Sequence, residues 1–329
     1  MNKLACALLC AALGSVGACA VAGPTPPSTT LKLARDVVLI PGGFAPGHQP
    51  DGNTVVWSAP QGLVVLDTGR HSAHTQKILD FAVQSRRPVV AVVNSHWHLD
   101  HISGNQRLRA AFPQLRVYAG KGIEAALTGF LARSRSQSLE YLAKPGDPAE
   151  QAEVRADVKT IESGVALYPD VRITEPADMT LAGRRLRIGL ETFTVTEGDV
   201  WIYDPGTRII AAGDLVTMPA PFFDTACPTR WQSALSRLQG IDFKWLVPGH
   251  GEPMTPGQFS LYRQAFDSLL TCAASPSTKQ ACVTGWQRDV ASLLKDDHEK
   301  KLAGGLIEYY LDVVLRADPQ RLQSVCGNS

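Results

Sequence analysis

The sequence predicts a mixed α/β domain followed by a helical tail, on three observations. Short apolar runs separated by polar turns recur from Leu31 to about residue 247. A helical pattern at 74–86 stands between two such runs, giving the order strand, helix, strand. From Pro256 to Leu322 the apolar spacing is largely that of helices. With 44% hydrophobic and 19% charged residues among 329, the chain can build a real core, and disordered or collagen-like classes are excluded.

The elements follow in order. Lys3, the apolar run Leu4–Leu13 and the small residues after it read as a secretory signal over residues 1–22, with Ala20 and Ala22 as a cleavage site before Gly23. Val16-Gly17-Ala18-Cys19 also resembles a lipobox, in which Cys19 would carry a lipid anchor; a cleaved, soluble periplasmic product is the expectation taken forward. Pro24 to Pro27 makes 23–32 a linker to a domain over 33–255. Strands are expected at Val37–Ile40, Thr54–Ser58 and Leu63–Leu66. Ile78, Leu79, Phe81 and Ala82 then mark the helix, and Pro88–Val93 is a β-branched run of the buried parallel kind. A short helix at 106–112 leads to a strand at Leu115–Ala119.

Residues 121–165 read as an inserted helical pair, broken by Pro145-Gly146-Asp147-Pro148 and able to act as a lid through Phe130, Leu131 and Tyr141. Strands resume at Val171–Ile173, Leu186–Leu190, Val200–Tyr203 and Ile209–Ala212, then a helix at 229–239 and a strand at 243–247. The extension over 256–329 is helical, with Gly304-Gly305 as its expected break.

The formal net charge is +1, with no basic blocks, so neither nucleic acid nor an anionic membrane surface is an expected partner. Losing Lys3 takes Lys+Arg from 32 to 31, against 31 Asp+Glu, which suits a neutral or modestly charged small-molecule substrate. No segment after the signal approaches the roughly 18 apolar residues that span a bilayer. Of seven cysteines, Cys6, Cys10 and Cys19 fall in the signal. Cys227, Cys272, Cys282 and Cys326 remain, an even set fit for two disulfides in an oxidising compartment. Three pairings are open, and Cys272 with Cys282 is the easiest local loop.

The densest chemical signal is Asn94-Ser95-His96-Trp97-His98-Leu99-Asp100-His101, three imidazoles and a carboxylate in six positions. His96 and His98, two apart in extended chain, point the same way. Such nitrogen and oxygen donors suit a borderline divalent ion such as zinc. Ala212-Gly213-Asp214-Leu215 and Val247-Pro248-Gly249-His250-Gly251 follow at strand ends.

Together with Asp67-Thr68-Gly69, these motifs in this order resemble the metallo-β-lactamase fold superfamily over about residues 33–255. The resemblance implies an αββα sandwich with its metal site on loops at one sheet edge. It implies His96 and His98 for a first metal, Asp100, His101 and His250 for a second, and Asp214 bridging. Asp100 would also orient the nucleophile or protonate the leaving group, and Asp67 would hold a histidine ring.

One departure stands out: Val195 occupies the place of the third histidine of the first site. Three readings stay open. The second site holds one metal while the first is weak; Glu191 or a water completes a dinuclear site; or hydrolysis is lost and metal-assisted binding kept. Trp97 would stack on substrate or plug the site from beneath, and Phe222 and Phe223 would line the pocket or pack the core. His71 and His74 would lie near the metal edge. No Gly-x-Ser-x-Gly, His-Glu-x-x-His, Walker or Gly-x-Gly-x-x-Gly motif occurs. The expectation is an exported zinc-dependent hydrolase of a small ester, thioester, lactone or lactam, with a β-lactamase or a non-catalytic periplasmic metal- or ligand-binding protein as the alternatives.

Overall fold

The computed structural model describes residues 30–44, 48–317 and 319–327; the expected signal, its cleavage site, Cys19 and most of the linker lie outside them. The first sheet takes its strands in chain order: β1 (Leu31–Ala34), β2 (Val37–Ile40), β3 (Thr54–Ala59), β4 (Gly62–Leu66), β5 (Val89–Asn94), β6 (Arg116–Ala119) and β7 (Val171–Arg172). Pairing is antiparallel from β1 to β4 and parallel from β4 to β7. The second sheet comprises β8 (Ala177–Leu181), β9 (Arg184–Glu191), β10 (Asp199–Asp204), β11 (Ile209–Ala211) and β12 (Trp245–Val247), in the order β12-β11-β10-β9-β8. Only β11 and β12 are parallel in it.

Side chains alternate across a strand, so one fully buried strand feeds two cores. In β4, Val64 and Leu66 pack with Val37, Trp57 and Val93 against Ile188, Ile202 and Ala211 of the second sheet. Leu63 and Val65 face the other way, onto Ile78 and Leu108. Those two belong to α1 (Ser72–Ser85) and α3 (Asn105–Ala111), with the short α2 (Leu99–Ile102) between β5 and α3. The inserted segment forms α4 (Ile123–Thr128), α5 (Phe130–Leu142) and α6 (Pro148–Glu162). On the far side, Ile210 and Leu246 of the second sheet meet α7 (Pro228–Gln239), α8 (Pro256–Ala274), α9 (Lys279–Asp289) and α10 (Asp297–Tyr310), through Trp231, Phe266, Trp286 and Ile307. The layers are helix, sheet, sheet, helix, as the motifs imply.

Several expectations shift. β1 starts at Leu31, inside the expected linker. The insertion has three helices, because Gly129, at φ −110 and ψ −98, separates α4 from α5; the break at 145–148 is present, with Asp147 capping α6. β8, not among the expected strands, is an edge strand with mostly exposed residues, and its short alternation of Ala177, Met179 and Leu181 with Asp178 and Thr180 buries only Leu181. Gly304 and Gly305 do not break the tail but lie inside α10, where a Cβ on Gly304 would come within 2.6 Å of Gln287 Nε2 on α9. The helices end instead near Ser275 and Val290, and the next ones are capped by Thr278 and Asp296.

The cysteines pair as Cys272–Cys282, with Cα atoms 5.6 Å apart, and Cys227–Cys326, at 4.8 Å. The second bridge ties α11 (Pro319–Cys326) to the segment before α7. Among the described residues no helix is long and apolar enough to cross a membrane.

Candidate metal centre

The loops that carry the motifs leave the carboxyl ends of two parallel strand pairs. Asp67 follows β4, residues 95–101 follow β5, Asp214 follows β11 and His250 follows β12. Ligand sites of open α/β sheets collect at such ends. Asn94 and Asn105 lock the second loop, with Asn105 Nδ2 donating to Asn94 Oδ1 at 2.7 Å and Asn94 Nδ2 donating to the His101 carbonyl at 3.3 Å. Gly249 is required for the close approach of the last loop, because a Cβ there would lie 2.0 Å from Asp214 Oδ1.

Asp214 is the centre of the cluster. His101 Nε2 lies 3.3 Å and His250 Nε2 3.5 Å from its Oδ1, while His96 Nε2 lies 3.7 Å from its Oδ2. Asp100 Oδ2 stands 3.0 Å from His250 Nε2 and 3.5 Å from His101 Nε2. Two overlapping sets, His96/His101/Asp214 and Asp100/His101/His250, each keep one donor atom per residue within 4.8 Å of the others. His96 Nε2, His101 Nε2, His250 Nε2 and both Asp214 oxygens are buried yet have no partner in hydrogen-bond geometry. Unpaired buried polar atoms are costly, and converging nitrogen and oxygen lone pairs are what a divalent cation satisfies. The residues present therefore fit a metal ion.

The charges are matched in the same way. Burial pushes the Asp100 and Asp214 carboxyls up, but His101 and its neighbours outweigh it and hold both below the usual carboxylate range. Burial pushes His101 down, yet Asp214, Asp100 and Asp67 raise it well above an ordinary imidazole. His96 is held low by burial and by the neighbouring imidazoles, and so is neutral.

Asp67 sets the ring orientations. Its Oδ2 accepts from His101 Nδ1 at 2.8 Å and from the Ser95 hydroxyl at 2.7 Å. That hydroxyl has spent its proton on Asp67, so it accepts from His96 Nδ1, 2.9 Å away. Both rings thereby turn Nε2 into the cluster, the usual arrangement of metal-binding histidines. Asp67 is fully buried at φ +59, a left-handed conformation uncommon outside glycine, and its two oxygens are anchored by Ser95 and His101.

The first site differs from the second. His98 belongs to neither close set among the described residues. Thr225 donates to the Val195 carbonyl at 2.8 Å and so accepts from His98 Nε2 at 3.0 Å, leaving Nδ1 as the one free lone pair on His98. Burial lowers the His98 pKa to about 4, keeping the ring neutral. Val195 itself is turned into the second sheet's outer core and is fully buried. Asp199 holds that turn, accepting from the backbone N–H groups of Val195 and Thr196 at 3.0 Å and from the Thr194 and Thr196 hydroxyls. Glu191, the possible substitute ligand, has its carboxylate engaged elsewhere, accepting from the Arg237 guanidinium and from Trp201 Nε1.

Two aromatic walls flank the cluster. On one side Trp97 and Phe130 approach His98, with ring centroids 4.6 and 6.5 Å away. Trp97 is buried among the inserted helices, so it fits the plug more than the stacking surface. On the other side Phe222 and Phe44 lie 5.6 and 5.2 Å from the His250 ring. Phe223, by contrast, is core, packed on Trp231 and Phe266. Phe44 was not legible because it stands in an irregular loop, and Thr225 because a lone threonine carries no motif. Leu131 packs in the core of the insertion.

His74 is structural, its Nε2 paired with Thr54 at 2.8 Å. His71 joins a latch on the insertion: it contacts Asp51 at 2.9 Å and Glu153 of α6 at 3.6 Å, and Glu153 also pairs with His48. The hydrogen bond to Asp51 raises His71 above its ordinary value, against burial. A raised imidazole stabilises fully below its unfolded pKa, near 6.5, and that contribution is lost as pH rises through the folded value. Amide protection of α6 is therefore expected to weaken as pH rises above about 6.5 in the wild type and to be flatter with pH in His71→Gln; equal pH dependence in the two would refute the latch.

Residues 51–274 match the family model described as metallo-beta-lactamase superfamily. A linear primary-alkylsulfatase of Pseudomonas sp. (strain ATCC 19151) is 23% identical over 216 residues, 60% of this chain and 41% of that protein. The chain thus spans less than half the length of that relative. A hydroxyacylglutathione hydrolase of Nostoc sp. is 31% identical over 86 residues, 26% of this chain and 30% of the relative. Among solved structures, a metallo-beta-lactamase from Pontibacter korlensis superposes with TM-score 0.54 at 21% identity, covering 73% of this chain and 98% of that one. A stereoselective inverting sec-alkylsulfatase from Pseudomonas sp. gives 0.53 at 20% identity, covering 83% and 49%.

Proposed function

This chain belongs to the metallo-beta-lactamase superfamily, and we propose that within it the protein is an exported, zinc-dependent hydrolase of a small acyl substrate such as an ester, thioester, lactone or lactam. The observation that carries this reading is the convergence of unpartnered buried imidazole nitrogens on both oxygens of Asp214. His101, Asp214, Asp100 and His250 would hold the ion, with His96 at its edge. When bound, a divalent ion supplies a Lewis acid and lowers the pKa of water toward about 7.

The chain's own groups supply the rest. Asp67 keeps His101 and His96 in the tautomers that offer Nε2. Asp100, at 8% the more exposed of the two cluster carboxylates, would orient the attacking water against the substrate. Phe44 and Phe222 shield one side from water and offer an apolar surface to the substrate. The engagement of His98 by Thr225 and of Glu191 by Arg237 supports one tightly held ion over a dinuclear centre.

A second reading, sulfate-ester hydrolysis, is favoured by the alkylsulfatase relatives. Export is supported by the signal-like residues 1–22 and by the two disulfides.

The experiment is hydrolysis of an ester, thioester, lactone, lactam and alkyl sulfate panel by the chain from Gly23 onward, beside His101→Ala. No turnover, or full rate in His101→Ala, would refute the proposal; turnover of the alkyl sulfate alone would favour the second reading. Val195→His places a polar ring in a packed core and is expected to cost about 1–3 kcal/mol in stability. It is expected to leave the metal-to-protein ratio unchanged by plasma emission; one added equivalent would show that the first site can be rebuilt by that residue alone.

A further inference from the structure

Arg70, just after Asp67-Thr68-Gly69, reaches from the metal cluster to the inserted helices. Its Nη1 contacts Asp157 Oδ2 of α6 at 2.5 Å, while its Nη2 stops 3.7 Å from Asp100 Oδ1. Its backbone N–H is pinned by Asp51 Oδ1 at 2.7 Å, and its Nε is buried without a partner. Side-chain exposures of 14% for Arg70, 16% for Asp157 and 8% for Asp100 put the three charges in a largely dry space.

Asp100 therefore uses its two oxygens differently. Oδ2 faces His250 and His101, and Oδ1 faces the guanidinium. An arginine in full contact would withdraw charge from Asp100 and compete with a metal ion for it. Asp157 holds the guanidinium in direct contact, and Asp100 receives only its field.

We propose that Arg70 is a positioning residue for Asp100, and that the inserted helix α6 sets its reach through Asp157. The inference rests on Asp100 being a metal ligand. The insertion then does more than cover the site: it tunes how much negative charge the site presents.

If Arg70 only fastened α6 to its loop, loss of either partner would lower stability and leave metal affinity alone. The proposed role moves metal affinity in opposite directions. In Asp157→Asn the guanidinium loses its competing anion and closes on Asp100, so zinc binding weakens, by about tenfold, the lower end of the range seen when groups supporting ligands are altered. In Arg70→Met two carboxylates lose their cation, so zinc binds several-fold tighter while kcat falls. In the double variant Asp157 has no guanidinium to hold, so the Kd stays near that of Arg70→Met, a non-additive result expected of groups in one network. Arg70→Lys keeps the charge and restores the wild-type Kd in part, which guards against misfolding of Arg70→Met.

The measurement is the zinc Kd of the mature protein and these variants, by competition with a chromophoric chelator. Opposite shifts in the two single variants are expected. Shifts of the same sign, or none, with wild type binding zinc, would overturn the role of Arg70 and leave the metal reading standing. Wild type that binds no zinc would overturn both.

Discussion

Asp214→Asn is expected to lower kcat/KM by about 10³-fold or more, roughly 4 kcal/mol of transition-state stabilisation, and to strip the protein of zinc. The substitution keeps the shape and removes the charge. Asp214 is the one carboxylate that faces His96, His101 and His250 together. It is also fully enclosed, so no water can take over its role from solvent. Without it, among the described residues only Asp100 would face the Nε2 atoms of His101 and His250, and no carboxylate that of His96. Steady-state rates and plasma emission on the same preparation check this; retained zinc with near-normal kcat/KM would remove Asp214 from the centre of the site.

Loss of the Cys227–Cys326 bridge is expected to cost more stability than loss of Cys272–Cys282. The first closes a separation of 99 residues and the second one of 10. Chain entropy assigns the first about 4.7 kcal/mol and the second about 3. For a protein of this size the larger value corresponds to a Tm lower by about 7 °C. The bridge also steadies the wall of the site, because Cys227 N donates to the Thr194 carbonyl at 2.7 Å, two residues beyond Thr225. Calorimetry of Cys227→Ser/Cys326→Ser beside Cys272→Ser/Cys282→Ser checks the order; an equal or reversed loss would contradict it.

What the sequence made legible was local. The His-x-His-x-Asp-His run follows a buried β-branched strand, so its place at a sheet edge follows from contiguous residues. Asp214 and His250 could be added because each ends a strand in a short Gly-containing turn. The replacement at Val195 was visible, but its consequence was not: it depends on Asp199 folding the turn so that Val195 faces the core. Contacts across long separations left no periodic trace. Thr225 meets His98 across 127 residues, and Arg70 meets Asp157 across 87. Gly304 misled for a related reason: in an exposed helix it would weaken the chain, whereas here it faces Gln287 of α9.

Hydrolysis that depends on an ion held by these imidazoles and carboxylates must stop when the ion is removed. The most direct test is the rate of the purified mature protein on its best panel substrate after zinc is removed by chelation and then returned stepwise. Activity should vanish in the stripped protein and recover in proportion to zinc, reaching a plateau near one equivalent per chain. A rate unchanged by chelation would show that hydrolysis needs no bound ion.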